Sequence, residues 1–190
     1  ERQNAMTGLA QAHLGSRDYA AALPLCEEAA AIYRRVYGDK HEWALTANYN
    51  LANTHAQMGN PRLALPLAEE CLRGRRQTLG EEHEETLKAT SKLSDVHVAM
   101  RNYDEALPLA RRVLEAGRRT LGNEQYDTLQ SMNRVGFILS RMGDTEAALS
   151  LYEEGLALDR RVLGSEHPET LTSIANVGIV RCRLGRHLTM

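Results

Sequence analysis

Three histidines, His13, His55 and His97, recur 42 residues apart and are the first candidates for chemistry, because imidazole binds metals and carries protons near neutral pH. Metal–nitrogen bonds are about 2 Å long, whereas neighbouring packed helices lie roughly 8–10 Å apart. The column is therefore expected to pack between helices, with a shared metal ion as the alternative. A second column is Arg34, Arg76, Arg118 and Arg160, extended by Arg35, Arg119 and Arg161. It reads either as a basic ridge for phosphate or acidic peptides, or as helix-end stabilisation. In the second case its partners are Glu27, Glu28, Glu69, Glu70, Glu153 and Glu154, in solvated pairs worth under about 1 kcal/mol each. Cys26, Cys71 and Cys182 are far apart, odd in number and form no CxxC pair. They are expected to be free buried thiols in a reducing, cytoplasmic setting, with zinc ligation or redox sensing as alternatives. There is no GxSxG, no HExxH and no phosphate-cradling glycine loop, and no nucleophile, base and orienting group can be assembled. The expectation is no enzyme, no cofactor and no metal; catalysis would need a domain outside this segment.

Composition narrows the partners. The formal net charge is −2 and the pI is near 6.4, without the basic surplus of a dedicated nucleic-acid binder. No apolar run approaches the roughly 18 residues of a membrane span, and Glu1-Arg2-Gln3-Asn4 has no signal-peptide pattern. Nucleic acid and membrane are thus not expected. The start also lacks an initiator Met, so the chain is read as an excised segment. Aromatic residues make up only 5% of the chain, so small residues, mainly Ala, must fill much of the core. That suits closely packed helices.

The elements that must position these residues follow from one repeated phrase. Gly38-Asp39-Lys40-His41, Gly80-Glu81-Glu82-His83, Gly122-Asn123-Glu124-Gln125 and Gly164-Ser165-Glu166-His167 are spaced by 42 residues without slippage. Such a period means one structural unit, repeated and stacked. Each unit holds two helical stretches. In the second copy, Leu45, Tyr49, Ala52 and Ala56 share one helical face, Gly59-Asn60 breaks the helix, and Leu65, Ala68, Leu72 and Leu79 mark the next. Helices are predicted over 3–16, 19–37, 42–58, 61–79, 85–100, 103–121, 127–142, 145–163 and 168–184.

Gly38, Gly80, Gly122 and Gly164 are expected to end second helices in the left-handed conformation. Glu42, Glu85, Asp127 and Glu169 should sit in first turns, beside the positive end of the helix dipole. Ala22, Ala64, Ala106 and Ala148 form one small-residue column; Ala10, Ala52, Ser94, Gly136 and Gly178 form another, preceded by Leu9, Leu51, Leu93, Val135 and Val177. Pro24, Pro66 and Pro108 fall inside second helices, with Ser150 in the fourth copy. Gly74 and Gly117 fit neither a helix end nor a small column. The ninth helix has no partner within the chain, so its apolar face is expected to be uncovered unless the native protein continues or another molecule packs there.

The small–large spacing resembles the tetratricopeptide repeat (TPR), in which helix pairs stack into a right-handed superhelix. The 42-residue period, Tyr103-Asp104-Glu105-Ala106-Leu107-Pro108-Leu109 with Arg118-Arg119-Thr120-Leu121-Gly122, and His167-Pro168-Glu169-Thr170-Leu171 are similar to the kinesin light chain repeat. The resemblance implies an all-α solenoid of about four and a half repeats: 1–38, 39–80, 81–122, 123–164 and a half repeat 165–190, forming a single array over 1–190. The family's Asn-Leu-Ala is kept at Asn50-Leu51-Ala52, loosened at Asn176-Val177-Gly178, and replaced by Lys92-Leu93-Ser94 and Arg134-Val135-Gly136.

The resemblance also implies that the first helices line a concave groove. Its side chains would be Thr46, Tyr49, Asn50, Asn53 and Gln57 in the second copy, and Lys88, Ser91, Asp95 and Val98 in the third. Gln130, Asn133, Phe137 and Arg141 follow in the fourth, and Thr172, Asn176, Ile179 and Arg183 in the fifth. Amides and hydroxyls with a few apolar anchors suit an extended peptide or an inserted helix. The expected function is a protein–protein interaction scaffold holding a peptide or helix of a partner in that groove. The alternatives are an end-to-end self-assembly element using the unpaired last helix, a sensor segment of a larger signalling protein, or ordinary surface.

Overall fold

The computed structural model describes residues 2–187, with side chains from 8 to 185. The described residues form nine α-helices and no strand. They are α1 (Arg2–Gly15), α2 (Tyr19–Tyr37), α3 (Glu42–Gln57), α4 (Pro61–Leu79), α5 (Glu84–Ala99), α6 (Tyr103–Thr120), α7 (Tyr126–Met142), α8 (Thr145–Val162) and α9 (Pro168–His187). Their ends lie within one to three residues of the sequence expectation. The chain divides after Asn102 into two compact units, α1–α5 and α6–α9. Within each unit every helix packs on the one before it.

The loop phrase works as a stop and a start. The Gly38 N–H donates to the Arg34 carbonyl at 3.0 Å and the Gly80 N–H to Arg76 at 3.1 Å, closing α2 and α4. Gly38 and Gly80 do have positive φ, but ψ is 165° and 171°. That is an extended conformation open essentially to glycine alone, which corrects the expected left-handed one. The next helix is then capped by the histidine of the phrase. His41 Nδ1 accepts from the Trp43 N–H, His83 from Glu85 and His167 from Glu169, each at 3.2 Å. These bonds satisfy amides that have no partner inside the helix. Gln125, at the fourth copy of the position, makes no such bond. The carboxylates of Glu42, Glu85, Asp127 and Glu169 do lie in first turns.

The turn inside each repeat has its own column. Arg17, Gly59, Arg101 and Gly143 have φ of 60°, 78°, 61° and 89°. Two copies use glycine and two hold an arginine in a region that L-residues rarely enter.

Packing follows the small columns. Ala22, Ala64, Ala106 and Ala148 are wholly buried, as are Ala52 and Ser94. Leu51, Leu93, Val135 and Val177 are buried, but Leu9 is exposed, against expectation, and so is Leu79. Gly74 and Gly117 now have a role. A Cβ on Gly74 would lie 2.4 Å from Leu45 Cδ2, and one on Gly117 would lie 3.0 Å from Thr128 Oγ1. Both are close-approach points between adjacent helices. Pro24, Pro66 and Pro108 all fall on exposed positions of their helices.

The arginine column ends second helices, and two of its members tie one second helix to the next. Arg34 pairs with Glu70 at 2.8 Å and Arg118 with Glu154 at 2.7 Å. Cys26 and Cys71 are buried free thiols, whereas Cys182 is exposed, which corrects the expectation for that residue. α9 exposes Leu171, Ile174 and Ile179.

Candidate functional site

In the first unit, α3 and α5 offer neighbouring faces. Thr46, Tyr49, Asn50 and Asn53 are half-buried on α3, and Gln57 is exposed at its end. Lys88 is exposed on α5, while Ser91 and Asp95 are half-buried. Tyr49, Asn53, Lys88 and Asp95 are drawn together by residues outside the expected set. Lys92 Nζ donates to Asn53 Oδ1 at 2.7 Å, lies 5.8 Å from the centre of the Tyr49 ring and is 4.0 Å from Asp95 Oδ2. The Arg75 guanidinium covers the same ring at 5.2 Å.

Arg75 is only 4% exposed. A buried cation is costly unless it is paired and hydrogen-bonded. Here Nη1 donates to the Glu85 carbonyl at 2.9 Å and Nη2 meets its carboxylate at 2.7 Å. Burial pushes the Tyr49 phenol up, with the Arg75 charge opposing. Lys88 bridges Glu84 at 2.6 Å and Glu85 at 3.0 Å, and those bonds push its ammonium up to about 12.

In the second unit the corresponding faces are on α7 and α9. They are linked near their starts by Gln130 Nε2 donating to Glu169 at 3.4 Å, and near their ends by Arg183 donating to Ser140 at 2.7 Å. Between those links lie half-buried Asn133 and Asn176 and exposed Phe137 and Ile179. Arg141 turns to α6, where its Nε donates to Tyr103 Oη at 3.1 Å. Burial pushes the Tyr152 phenol up to about 12, against the lowering effect of Arg183.

The histidine column does not gather a site. His13 lies 3.5 Å from Asp18, and His55 is buried. No group of three or more candidate metal ligands occurs among the described residues. No helix among them is long and apolar enough to cross a membrane.

Sequence reasoning missed the column Tyr33, Arg75, Gly117, Asp159. Each member faces the first helix of the following repeat with different chemistry. Tyr33 packs with Ala44 and Ala47. Arg75 binds Glu85 and Gly117 backs onto Thr128. Buried Asp159 accepts from Ser173 at 2.5 Å. The period was visible, but four unlike residues carry no pattern.

Paired helices, close contacts at small columns and capped loops of fixed length define a helical-repeat scaffold. The tetratricopeptide repeat profile matches residues 1–77, 47–119, 85–161 and 127–188. The chain belongs to the tetratricopeptide repeat family. Such repeats are generally protein–protein interaction scaffolds. A solved structure of kinesin light chain-like, nearly identical TPR-like repeats from Podospora anserina is similar over 99% of this chain and 89% of that one, with a TM-score of 0.86 and 24% identity. BtubC (BKLC) from P. vanneervenii is similar over 95% of this chain and 72% of its own, with a TM-score of 0.80 and 20% identity. A Rap protein complexed with competence and sporulation factor is similar over 95% of this chain and 48% of its own, with a TM-score of 0.70 and 12% identity. These likenesses show the fold. No curated protein matches the sequence.

Proposed function

We propose that the chain is a non-enzymatic binding scaffold that holds a peptide or helix of a partner protein on the faces of its first helices. The observation that carries this reading is the α7–α9 face. Phe137 and Ile179 are 44% and 53% exposed there, beside the half-buried amides of Asn133 and Asn176. An apolar anchor flanked by amide donors and acceptors matches what a peptide offers, namely alternate side chains and an unpaired backbone. The α3–α5 face adds Tyr49, Asn53 and the lysines. The Rap protein, a similar fold, is complexed with competence and sporulation factor.

The test uses peptides selected on the whole chain from a random library. Phe137→Ala and Asn133→Ala should each weaken the selected peptides about tenfold, as expected for residues at the centre of an interface, with unchanged thermal unfolding. Affinities untouched by both substitutions would remove the assignment.

A further inference from the structure

A cavity of about 360 Å³ opens among α1, α2 and α3, within the roughly 300–1,000 Å³ range of small-ligand sites. Trp43 and Tyr33 contribute aromatic walls, Glu42 a carboxylate, and Gln11, Thr46 and Asn50 polar side chains. No cation lines it. Trp43 is 46% exposed, an unusual state for the largest apolar side chain, yet its ring is held. Tyr37 meets it edge-on at 4.8 Å, His41 lies at 5.2 Å and Tyr33 at 6.0 Å. Glu42 makes no ion pair among the described residues.

One repeat further on, the counterpart of Glu42 is a carboxylate that has its cation. Adding 42 to Tyr33, Glu42, Thr46 and Asn50 gives Arg75, Glu84, Lys88 and Lys92. There Glu84 is met by Lys88, while Arg75 meets Glu85, the counterpart of Trp43, and lies over the Tyr49 ring. At α3 all three cations are absent, replaced by a phenol, a hydroxyl and an amide. What remains is an aromatic wall, a free carboxylate, amide acceptors and a hole.

We propose that this cavity receives the guanidinium of an arginine side chain from a bound peptide, which supplies Glu42 with the cation that Lys88 supplies to Glu84 at the next joint and lies against the Trp43 and Tyr33 rings. A cation over an aromatic face is attracted by the ring quadrupole. The planar fork of arginine suits a carboxylate, and its remaining N–H groups suit the amide oxygens of Gln11 and Asn50. The inference deepens the groove reading and rests on it for Thr46 and Asn50 alone.

Trp43 is the only tryptophan of the chain, so its fluorescence reports on the cavity. The probe is a short, capped, otherwise neutral peptide carrying one arginine, compared on the whole chain with its citrulline and lysine counterparts, with calorimetry as a second readout. The arginine peptide should shift the Trp43 emission and bind at least about tenfold more tightly than the citrulline peptide, since a hydrogen bond between charged partners is roughly twice as strong as a neutral one. Glu42→Gln should erase that preference. Thr46→Lys, which installs the cation of the next joint, should abolish binding while leaving the helical circular dichroism unchanged.

Equal affinity for arginine and citrulline, preference persisting in Glu42→Gln, or no binding by either readout would overturn the proposal. A lysine peptide binding as tightly as the arginine peptide would overturn the guanidinium assignment. If Phe137→Ala weakens library peptides while the arginine peptide ignores Trp43, the groove reading stands and this one falls.

Discussion

Gly136 and Gly178 occupy the same place in successive first helices, yet their surroundings differ. A Cβ on Gly136 would lie 2.8 Å from Tyr152 Cε1 and 3.0 Å from Cζ, atoms of a buried ring, whereas Gly178 has nothing within 4 Å. Gly136→Ala should therefore destabilise by about 1–3 kcal/mol through overpacking. Gly178→Ala should stabilise by about 0.5–1 kcal/mol, because alanine is the better helix former. Urea denaturation of the two variants checks the opposite signs. At this scale the sequence was legible where a residue type recurs: the buried alanines, the arginines in last turns and the first-turn carboxylates stood out as columns. Leu9 holds the same place in its repeat as the buried Leu51 and Leu93 but is exposed, so its place in the column did not foretell its burial. The Tyr33, Arg75, Gly117, Asp159 column was invisible, since complementarity there lies with a partner on the next helix rather than within the column. Glu42 was likewise read only as a helix-start residue and Trp43 was not singled out, because the cavity beside them depends on what the facing residues lack.

Helix boundaries were the most readable feature, because each has a chemical cause. The phrase ending in histidine marks both a stop and a cap, although the capping role of His41, His83 and His167 requires seeing Nδ1 turned back to the second amide after it. The turn inside the repeat was read only where it holds glycine. Arg101 has φ of 61° at the place taken by Gly59 and Gly143. Replacing it with the residue its own column uses, Arg101→Gly, should raise stability by about 1 kcal/mol by removing the left-handed penalty. The midpoint of urea unfolding should rise, and an unchanged or lower midpoint would mean that the arginine side chain compensates for its backbone. The prolines of α2, α4 and α6 are tolerated on exposed positions of their helices, and Ser150 at the fourth copy is exposed too.

For the molecule as a whole, alkaline pH is the expected weak point. Burial pushes the Cys71 thiol from 9.0 up to about 11, and that of Cys26 up as well; the Tyr152 phenol goes from 10.0 to about 12. A proton held more tightly in the folded chain stabilises it fully below the unfolded pKa, and the advantage is lost as pH rises through the folded one. For Cys71 the window is 9 to about 11. Stability should fall by about 2 kcal/mol across it at about 1.4 kcal/mol per unit, seen as a lower urea midpoint at pH 11 than at pH 8. Cys71→Ser should flatten that slope, because a serine hydroxyl does not titrate in the window.

The joints between repeats have a further consequence. Loss of residues 81–122 would present Arg75 with Asp127, the counterpart of Glu85, and so with a carboxylate again. Loss of residues 39–80 would instead set the Tyr33 ring against Glu85 and discard Trp43. Modules of equal length are thus not equal spare parts: shuffling this gene by whole repeats is filtered at the seams, where each edge is cut to fit only some neighbours.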